Sequence, residues 1–425
     1  MNRWLIYFIF ILSLFLFSCS KEKDNFRPTI NITSPYHLQN INGIDTIKIN
    51  ATIKDNHNIE SVQVSLRDQN NNVVLSTINR TPNTSTYEIN EWFFLDDIHL
   101  PSGQYYFSFS ASDGTNTALE TVDVEINEHP KLRQGIFIAD NNGSTTNITY
   151  LSNSYTSSFY NSYSGNFLGI YVNSYHQQLN IAPSSTGNLT AVNLSSSSNA
   201  WSTNVLSTLT GFYSDQEYSY VGQYDGNLKR YNTSGAFNFH GTAISNFYIE
   251  EIATHENYLV TEQQAIATSD VQLALTWLSS GAPFQQATIN EDVLGIYSMN
   301  SNTIVLLTNN SSNLGNLIFY DISTGLPGSP FSINTGNIDA CVEISTGIYL
   351  VAENGDLTTI NAGNFSKSTY LNGVTANNLK YDYLTNELFV INGNQITIYD
   401  YSGKTVKGNY SHGSAIIDLD FWYNK

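Results

Sequence analysis

The 425-residue chain is poor in cysteine, in charge and in basic residues, and each shortage excludes something. Its two cysteines are Cys19, behind an N-terminal apolar run, and Cys341. They leave no disulfide framework to read. Cys341 stands in the strand-like Ile338-Asp339-Ala340-Cys341-Val342-Glu343-Ile344, where a small buried apolar residue fits better than a nucleophile. Only 12% of residues are charged, and 17 Lys and Arg face 36 Asp and Glu, for a net charge of −19. Such a chain repels phosphate backbones and anionic lipid surfaces, which excludes both as partners. It has no Gly-rich phosphate loop and no nucleophile elbow. Its histidines (His37, His57, His99, His129, His176, His240, His255, His412) show no paired spacing, so neither a metal nor a cofactor is expected. The longest apolar run, Trp4 to Phe17 broken only by Ser13, has 14 residues. A spanning helix needs about 20.

What is present starts with that run. Arg3 precedes it, Ser18-Cys19 ends it, and Ser20-Lys21-Glu22-Lys23-Asp24 turns sharply polar, which is the layout of a secretory signal. Leu16-Phe17-Ser18-Cys19 resembles the lipobox of bacterial lipoproteins. The resemblance implies a signal peptide at 1–18, a lipidated Cys19 as mature N-terminus, and a tether at 19–27. Loss of Arg3 would take the net charge from −19 to −20. Ser20 in place of aspartate, and the charged cluster after it, resemble the export signals of Bacteroidetes-type surface lipoproteins. They imply an outer-membrane, lipid-anchored protein at the cell surface.

Residues 28–127 read as alternating strands. Ile47, Ile49, Ala51 and Ile53 alternate, as do Val62, Val64 and Leu66, with turn clusters at Asp55-Asn56 and Asn70-Asn71-Asn72. About seven strands in roughly 100 residues fit a β-sandwich. Gly103-Gln104-Tyr105 resembles the tyrosine corner of immunoglobulin-like domains, and Ala111-Ser112-Asp113-Gly114 resembles their bacterial members. That fold would serve as a spacer. Asp55, Asp113 and Asp123 are expected to be turn carboxylates rather than calcium ligands.

Residues 128–132, containing His129-Pro130, break the pattern as a linker. Beyond it, over 133–425, a strand and polar turn recur seven times around Tyr150, Val192, Tyr231, Trp277, Tyr320, Ile360 and Tyr399, in steps of 42, 39, 46, 43, 40 and 39 residues. A more apolar strand precedes each copy, and Asn-Gly or Asp-Gly turns join several pairs. A period near 42 is the length of a four-stranded propeller blade. Ala415 to Trp422 repeats the pattern of Asn378 to Tyr383, while the first copy lacks such a strand. The expectation is therefore an all-β chain: an N-terminal immunoglobulin-like β-sandwich followed by a seven-bladed β-propeller closed by the C-terminal strand. Tyr320-Asp321-Ile322-Ser323-Thr324-Gly325 resembles WD-repeat and YVTN-type propellers, a likeness of structural positions that implies a fold and no active site.

Chemistry is scarce. Ser269-Asp270 to Thr276-Trp277 approaches the sialidase pattern but lacks its glycine and spacing, and five scattered tryptophans do not make quinoprotein docking motifs. Acidic residues gather in expected inner strands (Glu250, Glu251, Asp339, Glu343, Asp382, Asp418, Asp420). Alternation turns half of them away, so strand-end positions facing solvent are expected. Aromatics crowd Tyr150 to Tyr175, as strand residues or as a sugar or peptide platform. Two turns look long, Glu262 to Asp270 and Asn309 to Asn316, and longer loops carry binding more often than tight ones. Gln263, Gln264, Asn310 and Asn313 are thus the ligand-binding candidates. The function read from the sequence is non-catalytic binding of an extracellular glycan or protein. The alternative is a carbohydrate-active hydrolase or lyase, which needs carboxylates or histidines converging at one mouth of the channel.

Overall fold

A computed structural model describes residues 25–205, 207–333 and 336–425, apart from the side chains of 238–240. The signal segment, Cys19 and most of the tether lie outside them. Among the described residues every regular element of length is a strand, and the chain divides into two compact units between Pro130 and Lys131.

The first unit is a two-sheet sandwich. One sheet orders Thr29–Ser34, Thr46–Ile59 and Thr84–Phe94. The other orders Gln39–Asn42, Thr117–Asn127, Gly103–Ser112, Ser61–Arg67 and Ile78–Arg80. Alternation places Ile47, Ile49, Ala51 and Ile53 of one sheet against Val64, Leu66, Phe107 and Phe109 of the other in a shared core. Phe93 meets Phe107 edge-on across it at 5.1 Å. The Tyr105 hydroxyl donates to the Pro101 carbonyl, four residues upstream, at 3.0 Å. Asp55-Asn56 is not a turn. It lies within the long Thr46–Ile59 strand, where the register with the Thr84–Phe94 strand slips between Lys54 and Ile59. Asp113 accepts the backbone N–H groups of Thr115 and Asn116, both at 2.6 Å, and so shapes its own turn.

The second unit holds seven antiparallel sheets, each built on four strands. The second sheet runs outward from Gly169–Asn173 through Gln178–Ala182 and Asn188–Asn193 to Asn199–Asn204. The third to seventh sheets repeat this order from inner strands Leu209–Ser214, Phe247–His255, Asp292–Asn300, Ile338–Ser345 and Asn378–Asp382. The outer edge of the fifth is shared by two short segments, Leu326–Pro327 and Phe331–Ser332. The first sheet joins both ends of the unit: Arg133–Asn141, Thr145–Leu151 and Ser157–Ser164 take Ile416–Tyr423 as inner strand. Each inner strand touches the next around a full cycle, and Ile416–Tyr423 lies against both Asn378–Asp382 and Gly169–Asn173. The unit is a β-propeller.

Seven separate apolar clusters fill the spaces between consecutive sheets. The cluster at the seam joins Ile136, Ile138, Leu419 and Phe421 of the first sheet to Phe389, Ile391, Ile396 and Ile398 of the seventh. A buried ion network reinforces this seam. Arg133 Nη1 lies 2.9 Å from Asp382 and 2.7 Å from Glu387, and all three side chains are buried. Tyr423 donates to Asp382 at 2.9 Å and Tyr155 to Glu387 at 2.8 Å, while Lys407 pairs with Glu387. Burial alone would raise the Glu387 carboxyl, but Lys407, Tyr155 and Arg133 hold it below its ordinary range. Removing one partner strands the others without solvation. Arg133→Met is therefore expected to destabilise this unit by about 3–5 kcal/mol in denaturant unfolding. A loss near zero would show that the network carries no weight at the seam.

Candidate functional site: the axial cavity

A cavity of about 510 Å³ opens along the axis of the second unit. Six of the seven inner strands, or the residues leading into them, supply its lining. Phe167, Tyr171, Phe212 and Tyr213 contribute aromatic lining, and Glu251, Asn378, Lys380 and Asp418 polar lining.

Bulges decide which side chains enter it. In an unbroken strand, successive residues alternate faces, and one extra residue re-aims its neighbours. Five inner strands slip register: at Leu209/Gly211, Ile249/Ile252, Val293/Gly295, Ile338/Ala340 and Ile416/Asp418. Three of the skipped residues, Glu251, Leu294 and Ile417, line the cavity. In the fourth sheet, Glu250 and Glu251 together oppose Glu262, since Ile249 pairs with Gln263 and Ile252 with Thr261. The Glu251 N–H leaves the ladder and donates to the Glu262 carboxylate at 3.3 Å. Gly211 lets the third inner strand press against this bulge, for a Cβ there would come within 2.4 Å of the Glu250 carbonyl.

Lys380 is the hub of the polar lining. Its ammonium lies 2.8 Å from Asp418, which also accepts from the Asn378 amide at 3.3 Å. Burial works to discharge Lys380, but Asp418, Asp420 and Glu251 together hold its pKa above the ordinary lysine value. Asp420 accepts the backbone N–H of Val172 at 2.6 Å. Burial pushes Asp420 up to about 6, against the pull of Lys380. Partial desolvation inside the cavity, with Glu250 and Asp292 nearby, pushes the Glu251 carboxyl up, although the residue remains exposed to solvent. Behind it, Glu262 is 1% exposed and is pushed to about 8, first by burial and then by Glu250. Charge of one sign is thus concentrated beyond what one lysine neutralises.

The inner-strand acids therefore divide. Asp418 and Asp420 are half-buried around Lys380, contrary to the solvent-facing expectation, whereas Glu251, which also lines the cavity, keeps its side chain exposed as expected. Asp382 belongs to the seam network, Asp339 is exposed, and Glu250 and Glu343 are half-buried, each with one oxygen lacking a partner. The four loop candidates do not form a site as placed. The Glu262–Asp270 stretch is not a long loop: strand runs to Ala265 and resumes at Val271. Gln263 is 2% exposed, accepts from the Ile244 N–H at 2.8 Å and donates to Thr261 at 2.9 Å. Gln264 donates to Glu262 at 3.1 Å. Asn310 accepts the N–H groups of Ser312 and Leu314 within a five-residue turn, 310–314, and Asn313 is exposed at its tip. Of the aromatics from Tyr150 to Tyr175, Tyr150 and Tyr160 pack on Phe137, whereas Phe167 and Tyr171 reach the cavity. Cys341 sits against the Tyr297 hydroxyl at 3.4 Å, and burial pushes its thiol up to about 11, which leaves it unreactive. Lys380 escaped the sequence reading, although a lone lysine in an inner-strand pattern (Leu379-Lys380-Tyr381) was the available signal.

No family model and no curated protein matches the chain. Solved structures that resemble it include a chain of the mitotic checkpoint complex (13% identity, 61% of this chain and 89% of that one, TM-score 0.49). A quinoprotein alcohol dehydrogenase-like protein from Bacteroides thetaiotaomicron aligns over 92% of this chain and 99% of its own (12% identity, TM-score 0.46). The β-propeller domain of Cps50 (Swd1) from Myceliophteria thermophila aligns over 59% and 88% (11% identity, TM-score 0.47). The fold stands on its own strand order rather than on these likenesses.

A carboxyl behind the cavity sets a pH dependence. A carboxyl whose folded pKa is raised favours the folded state while protonated, and that contribution is lost as pH rises from the unfolded value through the folded one. For Glu262, which is buried, the window runs from 4.5, its ordinary value, to about 8. The second unit should lose on the order of 1–2 kcal/mol of stability across it. Glu262→Gln should flatten that slope, measured by denaturant midpoints at several pH values. An unchanged slope would contradict the assigned environment.

Proposed function

We propose that the protein is a lipid-anchored cell-surface binding module, with an immunoglobulin-like spacer carrying a seven-bladed propeller whose axial cavity takes part of an extracellular glycan or protein. The anchor rests on the lipobox-like Leu16-Phe17-Ser18-Cys19 and the spacer on the sandwich with its tyrosine-corner hydrogen bond. The count of blades rests on the seven sheets and the cycle of inner strands.

The observation that carries the binding reading is the mixture of aromatic and hydrogen-bonding groups in the cavity lining. Flat apolar rings with a few convergent polar groups suit a sugar ring or a peptide side chain. Inner strands begin at the mouth, and second strands end there, so the 310–314 turn shares that face. Asn310 and Asn313 are assigned to the rim on this basis.

A second reading, a hydrolase or lyase acting on polysaccharide, is favoured by one observation. Glu251 and Asp420 have raised carboxyl pKa values beside Lys380, and such groups suit proton transfer. No histidine joins them among the described lining residues.

A glycan and protein array with the full chain tests the proposal. Tyr171→Ala with Phe212→Ala should abolish the hits while unfolding stays cooperative at a lowered midpoint, because Phe212 also packs against the cluster of Leu209 and Val221, and Glu251→Gln should weaken them with no product formed by the wild type. Retained binding in the aromatic double variant would remove the axial site. Turnover lost in Glu251→Gln would establish the enzyme reading. Cys19→Ala should abolish fatty-acid labelling and release the protein from membranes; labelling of that variant would refute the anchor.

A further inference from the structure

A second pocket, of about 380 Å³, lies in the sixth sheet and shares no lining residue with the axial cavity. It is lined by Glu353, Asn354, Asp356, Thr358, Ser368 and Thr369, together with Lys367. Glu353 ends the Ile348–Glu353 strand, and Asn354-Gly355, both with positive φ, turn the chain into Asp356–Asn361. The register sets Glu353 directly opposite Asp356, and Val351 opposite Thr358. Val351 packs with Val305, Leu307 and Leu317, so this face turns toward the fifth sheet and the pocket is the polar end of that interface.

Glu353 is 7% exposed, and its Oε2 is buried with no hydrogen-bond partner among the described residues. A buried carboxyl oxygen without a donor is rare in a folded protein and calls for one. A second carboxyl across the hairpin makes the arrangement less favourable still. Neither neighbouring charged group has a hydrogen bond to Glu353 among the described residues. Lys367 donates to the Ile333 carbonyl at 2.5 Å, and Asp356 accepts the Gly373 N–H at 2.7 Å. A ligand hydroxyl entering the pocket would supply the donor that Glu353 Oε2 does not receive from the described residues.

The rest of the lining narrows its class. Hydroxyls of Thr358, Ser368 and Thr369 and the Asn354 amide both donate and accept. An ammonium ion donates but cannot accept from them, and an anion cannot donate to Glu353. A hard cation prefers six or more oxygens and would share the pocket with the Lys367 ammonium. A neutral polyol meets both demands, since each of its hydroxyls donates and accepts. The volume falls in the roughly 300–1,000 Å³ range of small-molecule sites. We propose that this pocket is a saccharide-binding site in which Glu353 accepts hydrogen bonds from sugar hydroxyls. It is separate from the axial site and does not depend on it.

The test uses the full chain with glucose, galactose, mannose and N-acetylglucosamine, and with calcium chloride and ethanolamine, followed by titration calorimetry and saturation-transfer NMR. At least one sugar should bind, and Glu353→Gln should weaken it about tenfold or more, as loss of a charge-assisted acceptor does. Thr369→Val changes an exposed side chain, keeps the fold, and should weaken the same sugar. Binding unaltered in both variants, binding of none of the four sugars, or Glu353-dependent binding of calcium or ethanolamine alone would each overturn the proposal.

Discussion

A sheet that buries both faces against its neighbours has no independent stability, and all seven sheets of the second unit are in that position. Each apolar cluster is shared by two consecutive sheets, and none belongs to one sheet alone. The set is therefore complete only when the first and last sheets meet. Covalent connectivity does not supply that contact, because there is no disulfide to close it. The Ile416–Tyr423 strand supplies it by pairing with Arg133–Asn141. The densest polar network of the unit sits at the same seam, with Arg133 facing two carboxylates contributed some 250 residues later. His412 adds a bond of 2.7 Å to Asp140 across it. Ion pairs of this kind gain little over apolar packing but are costly to break, which suits a junction that has to select one register.

Closure also creates the chemistry of the axis. Inner strands converge there, and a regular strand would send its side chains alternately to the two faces packed on neighbouring sheets. Bulges at Glu250-Glu251, Leu294 and Ile417 override that alternation locally. The outcome is a cavity lined both by rings and by carboxylates that act on a single lysine. Holding those carboxylates together costs stability as they ionise. That is an arrangement expected where function, rather than folding, dictates the residues.

The strand repeat was legible in the sequence because period-two patterning and Asn-Gly turns are local signals. Ile304 to Leu306 and Leu388 to Val390 fall in second strands as read. The long turn after Glu262 was illegible for a physical reason. Thr261-Glu262-Gln263-Gln264 is polar, yet it pairs in ladder with Ala274, Leu273, Gln272 and Val271, and its side chains satisfy one another. The destination of the inner acids was hidden by bulges, which no alternation rule registers. Arg133 gave no signal, since its partners are remote in sequence. Glu353 gave none either, because an orphaned atom is visible only once its surroundings are placed.

Hydrogen exchange on the chain ending at Ser414 tests the dependence of the whole unit on its closing strand. Removing the closing strand exposes the faces and edges that it covers in the first, second and seventh sheets. If closure is what stabilises the set, amide protection should fall in every sheet of the second unit, including the fourth, on the far side of the ring from the seam. The sandwich, with its own core from Ile41 to Ile126, should keep its protection. Loss confined to the sheets beside the seam, with the fourth sheet as protected as before, would contradict the account.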